Sequence, residues 1–331
     1  MSFAEFLPLF FMAVMGLSLL AYVILDGYDL GVGMLLPRGT DAQKDTMIAS
    51  IGPFWDANET WLVLGVGVLL VAFPKAHGVV LQALYLPVAI MLIGLILRGV
   101  AFDFRAKAPL AYKPFWNRTF FAGSLVASAA QGWMLGSYIT GFDGSLLGWA
   151  FSFAIAITLP AAYVMLGAGW LIMKTEGELK DKAVRWAHQA LWPMAFSLMA
   201  ISLATPLVSQ QVWDKWFALP ALFMLLPVPL VSVLALVAIH RVSTRPRVVH
   251  AGYGWLIFAN TVLIFVLAFF GLAYSVYPYV VIGQMTVYEA AAITQSLTVT
   301  FIGVAITVPV IIAYTIFMYK VFWGKAGSLS Y

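Results

Sequence analysis

The stretch GPFWDANETWLVLGVGVLLVAFP, residues 52–74, decides how this chain is built. Its purely apolar part, Trp61 to Phe73, has 13 residues and rises only ~20 Å as an α-helix, against ~30 Å for the hydrocarbon core of a bilayer. Extending it backward to Phe54 gives 20 residues, the length a span needs. The extension takes in Asp56, Asn58 and Glu59. The carboxylates then lie in or just under the membrane, where charge is costly unless it is paired or used.

Working outward, the whole chain obeys the same solvent. Of its 331 residues 63% are hydrophobic and only 10% charged, with a mean hydropathy of +0.95. A soluble domain could not bury so much apolar surface. The expected fold class is an all-α integral membrane protein of nine spans, at about 7–25, 54–73, 79–98, 119–139, 146–173, 189–208, 217–240, 254–275 and 297–322. The first run, Leu7 to Leu25, has Glu5 as the only charge before it and no small-residue cleavage pattern after it, so it reads as a retained span rather than a signal peptide. The spans form a single polytopic domain, 1–331: helix 1 followed by two four-helix bundles, about 54–173 and 189–322.

Orientation follows from the basic residues, which collect in cytoplasmic loops. One side of the nine-span scheme receives Arg38, Lys44, Arg98, Arg105, Lys107, Lys113, Arg118, Lys174, Lys180, Lys182, Arg185, Arg241, Arg245, Arg247, Lys320 and Lys325; the other receives Lys75 and Lys215. A split of 16 against 2 puts the N-terminus outside and the C-terminus inside. The same distribution removes nucleic acid as a partner, because the pI near 9.2 comes from short loops between apolar segments. Absence of cysteine excludes disulfides, iron–sulfur clusters and thiolate-bound metals. Pro220, Pro227 and Pro229 are expected to bend the seventh span. Trp55, Trp116, Trp186, Trp213, Trp216 and Trp323 fall near span ends and read as headgroup anchors.

The first span mirrors the second. In VILDGYDLGVGMLLP, residues 23–37, Asp26 and Asp29 close the span, yet the apolar character resumes after them. Asp26/Asp29 and Asp56/Glu59 both have i, i+3 spacing and project from one helical face each. The third span ends at the same level with Arg98, followed by Asp103 and Arg105. Arg98 is the expected counter-charge, so spans one, two and three enclose a polar pocket of carboxylates around an arginine, open toward the cytoplasm. The plainer reading makes Asp56 a first-turn acid and lets Asp26 and Gly27 end a helix. The functional reading is a proton path, since desolvated carboxylates take up and release protons near neutrality. The GVG of residues 31–33 lacks the strand–turn–helix setting of a nucleotide loop and reads as backbone packing. His77, His188, His240 and His250 all sit in loops or at span ends, so no haem ligand is expected from this chain.

DGYDLGVGML, GPFWDANETWLVLGVGVLLVAFP and LILRGVAFDFR, in this order and spacing, resemble subunit II of the cytochrome bd-type quinol oxidases. The likeness is specific over roughly the first 110 residues, with KTEGEL (Lys174 to Leu179) as a further local match. The resemblance implies a respiratory terminal oxidase that reduces oxygen to water with electrons from quinol. It implies that haems b and d and the quinol site belong to a partner, subunit I, in a heterodimer. It also admits a small single-helix accessory subunit, lipid, and a structural quinone in this subunit. In the family's pattern Asp56 matches the acid of a cytoplasmic proton path, Arg98 its neighbouring arginine, and Asp26 and Asp29 the acids closing the first helix. Phe54 departs from relatives that carry histidine before the Trp-Asp pair, which loses a titratable neighbour of Asp56, and the short chain with DANETW leans toward the cyanide-insensitive branch. The implied location is the bacterial inner membrane, with a periplasmic N-terminus.

Two other readings accommodate buried acids beside an arginine. A proton- or cation-coupled secondary transporter would place them near the midplane at broken helices, whereas here they cluster at one face. A purely structural scaffold for a haem-bearing partner would use them only for assembly.

Overall fold

The structure, a computed structural model, describes residues 2–327. Helix α1 (Phe3–Leu35) starts at a capping box in which the Ser2 side chain accepts from the Glu5 N–H and Glu5 accepts from the Ser2 N–H. Its 33 residues rise ~50 Å, more than a hydrocarbon core requires. Asp26 and Asp29 do not close it, contrary to expectation. The helix runs unbroken through both acids because their side chains meet protein partners rather than water.

Helix α2 (Asp41–Ile51), capped by Thr40 and Gln43, lies where only a loop was expected. Helix α3 (Trp55–Ala72) begins one residue before Asp56, which makes that aspartate a first-turn acid. Helix α4 (Pro74–Lys107) opens on a proline, whose missing N–H costs nothing in the first turn. Then come α5 (Lys113–Ile139), α6 (Leu146–Lys174), α7 (Gly177–Val208) and the short α8 (Gln210–Phe217). The seventh expected span bends as the prolines predict: α9 (Ala221–Leu225) and α10 (Pro227–Ser243) meet at Leu226, whose backbone stays helical (φ −52°, ψ −36°), so Leu222–Ser243 still runs as one membrane-length helix. After the short α11 (Pro246–Val248) and α12 (Trp255–Val276), a hairpin of β1 (Tyr279–Val281) and β2 (Met285–Thr286) leads into α13 (Val287–Ala290) and α14 (Thr294–Val321).

Eight helical segments among the described residues are long and apolar enough to cross a membrane. Helix α5 is not among them, although its 27 residues match the others in length. It is richer in Gly, Ala and Ser and lies between α4 and α6. Helices α4 to α7 pack each against the next, α10 and α12 pair and close on α6 and α7, and α1 runs through the middle against α3, α5, α6, α12 and α14. The centre of this arrangement is dense. A methyl group on Gly31 would stand 1.9 Å from the Tyr163 carbonyl oxygen, and one on Gly167 would stand 2.4 Å from the Gly31 backbone. Absence of side chains there lets α1 and α6 touch backbone to backbone, as small residues do in membrane helix pairs. The GVG reading as packing therefore holds at Gly31.

The hairpin segment braces one end of the bundle. Ala292 N–H donates to the Ala72 carbonyl at the end of α3, and the Tyr138 hydroxyl on α5 donates to the Val280 carbonyl at 2.9 Å.

Candidate functional site

Three helices bring the expected charges together. Arg98, 1% exposed, extends from α4 between Asp26 on α1 and Glu59 on α3. One guanidinium nitrogen, Nη1, donates to Asp26 Oδ1; the other, Nη2, donates to Glu59 Oε2 at 3.0 Å. Asp26 is fully buried, while the Glu59 side chain retains 31% exposure. The cluster thus has a closed inner end and an outer end that reaches the molecular surface. Trp55 covers the guanidinium, with its ring centroid 5.8 Å from Arg98 Cζ, a distance at which the negative ring face attracts the cation.

Asp29 lies one helical turn beyond Asp26 and is equally buried. It has no ion-pair partner among the described residues; its Oδ2 accepts from Asn58 Nδ2 at 2.8 Å. Asn58 also donates to the Tyr28 hydroxyl at 2.7 Å and accepts from the Tyr319 hydroxyl at 3.0 Å. Tyr28 is stacked on Trp170, ring centroids 4.1 Å apart. Asp26 Oδ2, Asp29 Oδ1 and Arg98 Nε are buried without a hydrogen-bond partner among the described residues.

Asp56 and Asp103 do not join the cluster. Both are exposed, on α3 and α4 respectively, and neither makes a salt bridge among the described residues. Arg105, next to Asp103, turns away to Asn117 and to Asp45 on α2, the latter at 2.8 Å. Sequence reasoning missed Asn58 as the partner of Asp29, and Tyr28 and Tyr319 as the partners of Asn58. Asn58 had a usable signal, an amide inside an apolar stretch; Tyr319 had none, since it is 261 residues from Asn58.

Two of the tryptophans expected at the headgroups have other work. Trp186 is 7% exposed and packed in the core, and Trp55 lies against Phe102 and Arg98. Lys174 is likewise buried, where its ammonium donates to the carbonyls of Trp323 and Gly324 at 3.3 and 3.1 Å and also to that of Phe322.

His188 on α7 and His240 on α10 lie with ring centroids 5.4 Å apart, and His188 Nδ1 shares a hydrogen bond with Ser243 Oγ.

Residues 7–322 match the family described as cytochrome bd terminal oxidase subunit II. The chain belongs to this family. It is 29% identical over 194 residues to the cytochrome bd ubiquinol oxidase subunit 2 of Bacillus subtilis, covering 55% of this chain and 57% of that one. It is 30% identical over 194 residues to the cytochrome bd-I ubiquinol oxidase subunit 2 of Escherichia coli K12, covering 53% and 51%. Matched segments therefore span little more than half the length of these curated relatives. A chain in the structure of the bd oxidase from Geobacillus thermodenitrificans superposes with a TM-score of 0.75 at 18% identity, over 96% of this chain and 99% of that one, which establishes the shared fold. As a subunit II chain with this set of apolar helices, the protein is a multi-pass membrane protein.

Proposed function

We propose that this subunit II chain works in a respiratory terminal oxidase of the bacterial inner membrane, in which quinol is oxidised and oxygen reduced to water. It supports a haem-bearing subunit I and contributes the entrance of a cytoplasmic proton path. The observation that carries the second part is the Asp26–Arg98–Glu59 cluster, sealed at Asp26 and open at Glu59. Glu59 is placed to exchange protons with the surface, and Asp26, one turn before Asp29, to hand them inward. Arg98 keeps both acids in the apolar surroundings that would otherwise expel them. Asp56 and Asp103, exposed beside the mouth, act as electrostatic support that attracts protons to it.

In this reading haems b and d belong to subunit I and supply the electron transfer and oxygen chemistry; this chain does none alone. An open groove of about 540 Å³, lined by Leu25, Thr315, Ile316, Tyr319, Lys320 and Trp323, offers the apolar lining that a structural quinone or a lipid tail requires. A single-helix accessory subunit is kept as a further partner. The nine-span topology, with α5 counted among the spans, N-terminus periplasmic and C-terminus cytoplasmic, rests on the charge asymmetry of the loops. The spans group as helix 1 and two sets of four, and the short chain with DANETW leans toward the cyanide-insensitive branch.

The test is Glu59→Gln in the assembled complex, with Asp56→Asn beside it. Oxygen-consumption turnover per haem should fall in Glu59→Gln, and less in Asp56→Asn, with haem content unchanged. Full turnover in Glu59→Gln at full haem content would remove the proton role. A lower yield of complex with turnover per haem intact would favour the scaffold reading.

A further inference from the structure

Asn58 is fully buried and uses both ends of its amide. Its Nδ2 lies 2.8 Å from Asp29 Oδ2, 2.7 Å from the Tyr28 hydroxyl and 3.3 Å from the Leu25 carbonyl oxygen. Its Oδ1 lies 3.0 Å from the Tyr319 hydroxyl, and the two tyrosine hydroxyls are 2.6 Å apart. An amide nitrogen only donates and an amide oxygen only accepts, so the hydrogens have one arrangement. Asn58 donates to Tyr28, Tyr28 donates to Tyr319, and Tyr319 donates back to Asn58. Side chains from α3, α1 and α14 close a ring in which each donates once and accepts once around the circuit. The second Nδ2 hydrogen is left for Asp29.

This direction suits an ionised Asp29, which can only accept. When Asp29 takes up a proton on Oδ2, the oxygen that faces Asn58, it becomes a donor there, and a donor now faces it. Half a turn of the Asn58 amide about χ2 puts Oδ1 before Asp29 and reverses every bond: Nδ2 donates to Tyr319, Tyr319 to Tyr28, and Tyr28 to Oδ1. Heavy-atom positions stay as they are, apart from the exchange of amide nitrogen and oxygen. The Leu25 carbonyl, an acceptor, favours the first direction.

We propose that the charge on Asp29 sets the direction of the Asn58–Tyr28–Tyr319 ring, which makes Tyr319 a positioning residue for an acid on a helix from the other end of the chain. The groups facing Asp29 are Asp26 and Tyr28 on its own helix, Glu59 on α3, Arg98 on α4 and Tyr319 on α14. Helix α6 adds Tyr163 against Gly27, and α12 packs Phe258 against Tyr28. The link to oxygen turnover rests on the proton-entry reading above; the ring itself does not.

The experiment is infrared difference spectroscopy of the intact complex across a pH titration, so its failure is separable from that of the turnover test. The protonated-carboxyl band of Asp29 is assigned by its loss in Asp29→Asn. In the wild type, tyrosine C–O bands should change with the same midpoint as that carboxyl band. In Tyr319→Phe the Asp29 band should change frequency at full haem content; Tyr28→Phe, which keeps the ring stacked on Trp170, opens the circuit from the other side and should do the same. Tyrosine bands indifferent to the Asp29 midpoint would overturn the proposal. So would an Asp29 band unmoved by either variant, or no Asp29 band at any pH, since the acid would then have a single state.

Discussion

Arg98→Gln is the substitution whose cost the geometry fixes most closely. Its two arms differ. The arm to Asp26 joins two side chains that are 1% and 0% exposed, and loss of one partner from such a buried pair costs about 3–5 kcal/mol, because the remaining charge is left in an apolar site. The arm to Glu59 ends on a carboxylate that is 31% exposed and screened by water, so it is worth about 0.5–1 kcal/mol. Arg98→Gln should therefore destabilise the purified complex by about 3–5 kcal/mol, and Glu59→Gln by no more than about 1 kcal/mol. Unfolding in mixed micelles, followed by tryptophan fluorescence, measures both. Asp26→Asn combined with Arg98→Gln should cost less than the sum of the two by about 2 kcal/mol, the coupling expected of side chains in contact. Equal losses for Arg98→Gln and Glu59→Gln, or strict additivity in the double variant, would refute the assignment of Asp26 as the principal counter-charge.

Gly31→Ala should prevent recovery of folded complex or cost more than about 3 kcal/mol, since its methyl group meets backbone at 1.9 Å rather than a movable side chain; Gly67→Ala, with nothing within 4 Å, serves as the neutral control on expression yield. Lys174→Met removes the ammonium that gathers the carbonyls of residues 322–324, and amide exchange over 322–327 should speed up by about tenfold, one hydrogen bond's worth or more. Glu289 is held below the usual glutamate range by hydrogen bonds from the Thr286 backbone and side chain. Its folded form binds protons less readily than the unfolded one, so the α13 cap is intact above the ordinary glutamate pKa of about 4.3 and weakens as pH falls through the lower folded value. Amide protection over Val287–Ala290 should drop only below about pH 4, and Thr286→Ala should abolish that dependence.

Much of this architecture could be read from the chain because spanning a membrane leaves few solutions. Long apolar runs must be helices: the spans expected at 79–98 and 146–173 fall inside helices of the structure, and that at 297–322 runs one residue past the end of α14. The pairing of Arg98 with acids of the first two spans was also legible, since charges at one membrane level with a single nearby cation have little choice of partner. Helix ends were not. Charge normally marks a span's exit into water, so Asp26 was read as an end when it is a buried middle. The compensating groups, Arg98 and Asn58, lie 72 and 29 or more residues away, beyond the reach of any local pattern. Trp186 misled for a related reason: its place near a basic loop looks interfacial, whereas α7 turns that face toward the core. Tyr319 is invisible to sequence logic because tyrosine near a span end is ordinary, and only the docking of α14 on α1 and α3 gives it meaning.

The ordering of the ring and the ion cluster along the chain has a consequence for biosynthesis. Asp26 and Asp29 emerge from the ribosome with the first helix, Arg98 follows 72 residues after Asp26, and Tyr319 arrives 291 residues after Tyr28. Until α4 is delivered, the nascent polypeptide holds two acids in lipid at ~2.5–3.5 kcal/mol each, with no cation to offset them. The opening helix is therefore provisional in its seat, and a translation product that stalls early carries an intrinsic mark of incompleteness that membrane quality control could detect.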